Sequence, residues 1–171
     1  MLLAQAQAYR QQYGFNAITL IPVNLYGPGD DFDLENAHVI PAVIRKCIEA
    51  AERKVPQVAL WGTGTPTREF LYVQDAAEGI LRASELYDSP EPVNLGSSEL
   101  VTINQMIGIL EDIAGITVEK EHDLTAPQGV RGRNSDNTMF HDVYGWEPSI
   151  SLRDGLEKTY AWIYDILAKR A

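Results

Sequence analysis

Short apolar runs rich in β-branched residues alternate with longer stretches of helical period along this chain, and that alternation restricts it to α/β or α+β packing. Leu2, Ala6, Tyr9 and Tyr13 recur at helical spacing and Gly14 stops the run, which predicts a helix over residues 1–13. No capping residue stands ahead of it, so the chain is expected to open inside a longer element. Residues 16–23 read as a buried strand, and residues 24–31, dense in turn formers, as a loop. A second helix is expected from His38 or Val39 to Lys54, with Ile40, Val43, Ile44, Cys47, Ile48 and Ala51 as its apolar face. Gln57–Trp61 reads as a short strand, followed by a turn and a further strand over Phe70–Val73.

Asp75 and Glu78 stand at capping-box spacing ahead of an alanine-rich helix to about Leu86. Thr102 and Gln105 repeat that spacing, and Ile103, Met106, Ile107, Leu110 and Ile113 then face inward. Residues 92–96 are expected to be extended, Val118 to centre a strand, residues 122–137 to form a polar loop and residues 138–144 a short helix. Ser151 with Asp154 caps a last helix, whose Leu152, Leu156, Tyr160, Ile163 and Leu167 share a face.

Bulk properties narrow the function. At 171 residues with 45% apolar content, the chain (1–171) is expected to form one domain with its own core. A net charge of −10 argues against a broad nucleic-acid-binding face, yet leaves room for a local arginine site. The single Cys47 rules out an internal disulfide and fits a reducing, cytoplasmic setting. No apolar run approaches the roughly 20 residues that span a bilayer. The three histidines and one cysteine show no ligand spacing, so no metal site is expected.

The most unusual stretch is Trp61–Asp75. Gly62 and Gly64 open a flexible turn, Pro66 stiffens its exit, and Arg68 follows seven residues after Trp61. An indole face and a guanidinium fork suit a planar anionic ligand such as a nucleoside diphosphate. A hairpin with a core tryptophan and a surface Arg68–Glu69 pair is the plainer alternative. Arg131 and Arg133 alternate with small residues in the polar loop, where they would either clasp a phosphate or simply be solvated. His38 stands between an acidic loop and a helix entrance, and an imidazole there can exchange protons near neutrality. Taken alone, it reads first as a plain helix-entry residue with no chemistry. Neither Gly27-Pro28-Gly29 nor Gly62-Thr63-Gly64 fits a dinucleotide-binding or P-loop pattern.

Several ordered stretches together resemble the C-terminal part of the extended short-chain dehydrogenase/reductases, the NAD-dependent epimerase/dehydratase family. They are Pro22–Pro28, Trp61–Asp75, Val93–Ser97 and Tyr144–Pro148. The segment His38–Lys46 followed by Trp61 is similar to the GDP-L-fucose synthase group, whereas Gly129–Asn137 resembles the GDP-mannose 3,5-epimerase group.

The resemblance implies an α/β fold: the substrate-binding portion of a Rossmann-type protein, without the N-terminal dinucleotide-binding fingerprint. By the same resemblance His38 is an acid/base for epimerisation, and Lys46, Trp61, Arg68, Arg131 and Arg133 contact a GDP-sugar. Pro22, Val23, Asn24 and Leu25 lie beside NADP or NAD, which is held mainly by residues upstream of this chain. Glu69 is expected to orient Arg68, and Asp75 to cap its helix. The implied function is a GDP-4-keto-hexose epimerase/reductase, inactive as this chain alone and pairing as a homodimer through its first helix. A non-catalytic nucleotide-sugar-binding or assembly module is the alternative.

Overall fold

The computed structural model describes residues 1–54, 57–126 and 129–169. In chain order it contains α1 (Leu2–Tyr13), β1 (Leu20–Pro22), β2 (Asn24–Tyr26), α2 (Val39–Arg53), β3 (Gln57–Trp61), β4 (Thr67–Tyr72) and α3 (Val73–Leu86). There follow β5 (Val93–Leu95), β6 (Leu100–Thr102), α4 (Ile103–Ala114), β7 (Glu119–Asp123), β8 (Gly132–Arg133), α5 (Thr138–Tyr144) and α6 (Leu152–Ala168). The pattern is α/β, with parallel pairing in three separate sheets.

Strand β4 is the spine of the largest sheet. Its first half runs antiparallel to β6 and parallel to β8, and its second half runs parallel to β2. Around this sheet α2, α4 and α6 bury the main core: Ile40, Val43, Ile44, Cys47 and Ile48 meet Met106, Ile107, Leu110, Leu156 and Ile163. These are the faces expected from helical spacing. A second core joins α3, α5 and β5 through Ala76, Ala83, Leu95, Phe140, Tyr144 and Trp146. Helix α1 forms where expected but buries no residue, and Leu2, Tyr9 and Tyr13 are exposed.

Capping chemistry fixes two helix starts as read. The Thr102 hydroxyl accepts the Gln105 N–H at 3.1 Å, while the Gln105 side chain accepts the Thr102 N–H at 2.8 Å. The Ser151 hydroxyl likewise accepts the Asp154 N–H at 3.1 Å.

Four expectations need correction. The strand read over 16–23 shortens to β1, and the first residues of the expected loop, Asn24–Tyr26, form β2. Pro22 has no N–H to donate; the ladder to β5 continues through Val23 N–H to the Leu95 carbonyl at 3.0 Å, after which the chain crosses to β4. The Trp61–Asp75 stretch is not a hairpin: β3 pairs with β7, whereas β4 pairs with β2, β6 and β8. The polar loop 122–137, whose residues 127 and 128 lie outside the described ones, contains the end of β7 and all of β8.

Finally, Asp75 does not cap α3, which begins at Val73 with no side-chain cap. Its buried carboxylate reaches across the fold instead. It accepts the Ser149 N–H at 3.2 Å, the Ser149 hydroxyl at 3.0 Å and the Ile150 N–H at 3.0 Å. A first-turn carboxylate still complements the positive end of the helix dipole.

Candidate functional site

Six of the candidate residues, Asn24, Leu25, His38, Arg68, Arg131 and Arg133, gather around β4. A cleft of about 230 Å³ opens between β2, the entrance of α2 and β4, lined by Asn24, Leu25, His38 and Arg68 among others. The Asn24 side chain donates to the Glu69 carbonyl at 2.8 Å, which stitches the head of β2 to β4. Leu25 is exposed beside it, Pro22 is exposed on β1, and Val23 turns partly inward against the second core.

His38 occupies the N-cap position of α2 in extended backbone, but its side chain makes no capping bond. The imidazole is instead 83% exposed, with Nδ1 3.6 Å from Oδ1 of Asp30. Asp30 was not singled out from the sequence; the only signal was its place in an acidic loop preceding the histidine.

Arg68 stands at the other wall of the cleft. Its Nη1 donates to the Thr67 carbonyl at 2.8 Å and to the Val130 carbonyl at 2.9 Å. Strand β8 brings a second arginine alongside, because Arg68 and Arg133 are register partners in the parallel β4–β8 pair. Arg131 precedes them, and its carbonyl accepts the Thr67 N–H at 3.0 Å. Among the described residues no carboxylate forms an ion pair with Arg68, Arg131 or Arg133. Like charges at paired positions on neighbouring strands are mutually unfavourable, and a bound anion would relieve this.

Glu69 does not orient Arg68. Successive strand residues face opposite sides, and the Glu69 carboxylate is buried on the far side. There it accepts the Ser98 N–H at 2.8 Å, the Ser135 N–H at 2.7 Å and the Asn137 side-chain amide at 2.9 Å. Burial works to raise its pKa, but these donors outweigh that and hold it below the usual carboxylate value. This network was missed in the sequence, although the period-two pattern of β4 was the available signal.

Two candidates lie elsewhere. Trp61 ends β3 and is 71% exposed, and the Lys46 ammonium donates to the Ala59 carbonyl at 2.7 Å along the same strand. Burial lowers the pKa of Lys46. Neither residue lines the His38 cleft. Thus Asn24, Leu25, His38 and Arg68 share one cleft, Arg131 and Arg133 flank it through β8, and Lys46 and Trp61 form a separate edge. Among the described residues no group of side chains is placed to hold a metal ion, and no helix is long and apolar enough to cross a membrane.

Known proteins resemble this chain in sequence and in fold. Residues 1–96 match the model of the NAD dependent epimerase/dehydratase family. The chain is 42% identical over 156 residues to GDP-L-fucose synthase 1 of Arabidopsis thaliana, covering 91% of this chain and 48% of that protein. It is 37% identical over 146 residues to GDP-mannose 3,5-epimerase 1 of Oryza sativa subsp. japonica, covering 85% of this chain and 37% of that one. In structure it resembles a GDP-L-fucose synthetase from Naegleria fowleri bound to NADP, with a TM-score of 0.88 and 27% identity over 98% of this chain and 54% of that chain. The chain spans about half the length of the GDP-L-fucose synthases it matches.

Proposed function

The chain belongs to the NAD dependent epimerase/dehydratase family, and we propose that it forms the substrate side of a GDP-4-keto-hexose epimerase/reductase. The observation that carries this reading is Arg68 at the wall of the His38 cleft, with Arg133 as its register partner on β8. Arg68 and Arg133, aided by Arg131, hold the diphosphate; Trp61 offers its exposed ring to the base, and Lys46 contacts the nucleotide along the same strand. The sugar then reaches into the cleft toward His38.

The C4 ketone makes the neighbouring C–H bonds acidic. Neutral His38 accepts such a proton, or as imidazolium returns one to the opposite face. Inversion needs a second acid/base on the other face; besides His38 and Arg68, the ionisable side chain lining this cleft among the described residues is Tyr26, whose hydroxyl donates to the Leu152 carbonyl at 3.3 Å.

A nicotinamide cofactor fits only in part. The sequence has no glycine fingerprint for the dinucleotide phosphates, whereas exposed Pro22 and Leu25 beside Asn24 offer a flat edge to a nicotinamide ring. When bound, NADP or NAD supplies the hydride for reduction at C4.

The test has two arms. The 171-residue chain, given a GDP-4-keto-hexose and NADPH, should show no loss of NADPH absorbance; sustained turnover overturns the division of labour. In the whole protein, His38→Ala should abolish solvent-proton exchange into the sugar while leaving GDP binding intact. Retained exchange removes His38 from the mechanism.

A further inference from the structure

The arginine pair depends on a strand only two residues long, Gly132–Arg133, which has few ladder hydrogen bonds to hold its register. What fixes it lies on the opposite face of β4. We propose that Glu69 is a positioning residue: its carboxylate anchors the chain just beyond β8 and thereby holds Arg133 opposite Arg68. The proposal rests on reading that pair as the diphosphate site.

The geometry is specific. Ser135 follows Arg133 by two residues, and its N–H meets Oε2 of Glu69 at 2.7 Å. Its hydroxyl lies 3.0 Å from Oε1 and 2.9 Å from Oε2. Asn137 binds Oε1 at 2.9 Å and also reaches the Ser98 hydroxyl at 3.1 Å. Ser98 itself has φ of +60°, a conformation that residues with a Cβ avoid, and its N–H is held by Oε1 at 2.8 Å. So one carboxylate joins three chain segments. Every partner is a donor, which suits an ionised carboxylate and not an amide, because glutamine would turn an NH₂ group toward N–H groups. The packing leaves no slack: a Cβ on Gly96 would stand 2.2 Å from Oε1.

The effect on ligand therefore passes through Arg133, and a double-mutant cycle detects it. GDP affinity is measured by calorimetry for the wild-type chain, Glu69→Gln, Arg133→Ala and the double variant. Glu69→Gln should weaken GDP about fivefold or more, and should add almost nothing once Arg133 is alanine. Independent, multiplicative losses overturn the positioning role.

Backbone hydrogen exchange supplies a readout that needs no ligand. In Glu69→Gln the Ser98, Ser135 and Thr67 N–H groups should exchange about tenfold faster, with α4 and α6 unchanged. Thr67 reports on β8 because its N–H binds the Arg131 carbonyl. Unchanged exchange overturns the proposal. Faster exchange in a chain whose wild type does not bind GDP keeps Glu69 as the anchor and rejects the diphosphate reading instead. If Glu69→Gln does not fold, Ser135→Ala removes one hydroxyl donor and should produce the same pattern at smaller amplitude; no change in that variant counts against the anchor.

Discussion

Arg68 and Arg133 occupy the same register position on adjacent parallel strands, with no ion-paired carboxylate on either among the described residues. Like charges paired across a ladder disfavour each other, and an anion bound beside both would offset that.

GDP should accordingly raise the melting temperature, by the equivalent of about 2.7 kcal/mol when present at a hundred times its Kd. Arg68→Ala should abolish this shift, and Arg133→Ala should reduce it while leaving the unliganded chain unchanged or up to about 0.5 kcal/mol more stable. Raising salt should weaken the shift. Thermal scans with and without GDP measure all of these; a GDP shift that survives Arg68→Ala contradicts the assignment.

Asp75 offers a stability test remote from the ligand. Asp75→Ala leaves the Ser149 and Ile150 N–H groups without their acceptor, in a region packed against the first turn of α3. Urea denaturation should show a loss of about 2–4 kcal/mol, the cost of stranding buried donors. GDP affinity, corrected for the folded fraction, should not change.

Acid stability should carry the signature of Glu69. Its pKa is lowered in the folded chain, so folding is favoured by its ionised form. That contribution is complete above the unfolded value of about 4.3 and disappears as pH falls through the lower folded value. The difference in melting temperature between wild type and Glu69→Gln should therefore be constant above about pH 5 and shrink as pH falls below about 4. A difference that persists undiminished at low pH would show that the carboxylate charge is not what matters.

Gly96 is confined by that same carboxylate. Gly96→Ala should force Glu69 or the Ser135–Asn137 segment to move, costing about 1–3 kcal/mol. A crystal structure or chemical shifts of Ser135 would show the displacement; an unaltered Ser135 environment would mean the neighbouring segments accommodate a methyl group.

The helices were legible because each has a one-sided apolar stripe, as in α2, α4 and α6. Caps were legible where a hydroxyl residue stands three ahead of a polar side chain, at Thr102 with Gln105 and Ser151 with Asp154, but Asp75 shows the limit of that signal. Carboxylate spacing does not reveal whether a distant loop supplies better donors. The route of β3 and β4 was hidden for a related reason. A glycine-rich turn between two apolar runs is the usual mark of a hairpin, yet β7 and β6 compete for those strands and win. The candidate arginines could be picked out individually, but their pairing required β8, which is too short to leave a periodic trace.

The separation of β3 from β4 bears on the order in which this molecule assembles. Trp61 pairs with Asp123, and Arg68 with both Val101 and Arg133, so neither half of the candidate site is completed by chain neighbours alone. Closing such long loops is paid in entropy before any contact repays it, which delays these pairings relative to the helices. Binding competence should thus appear as one of the last events of refolding, after most helical signal has returned.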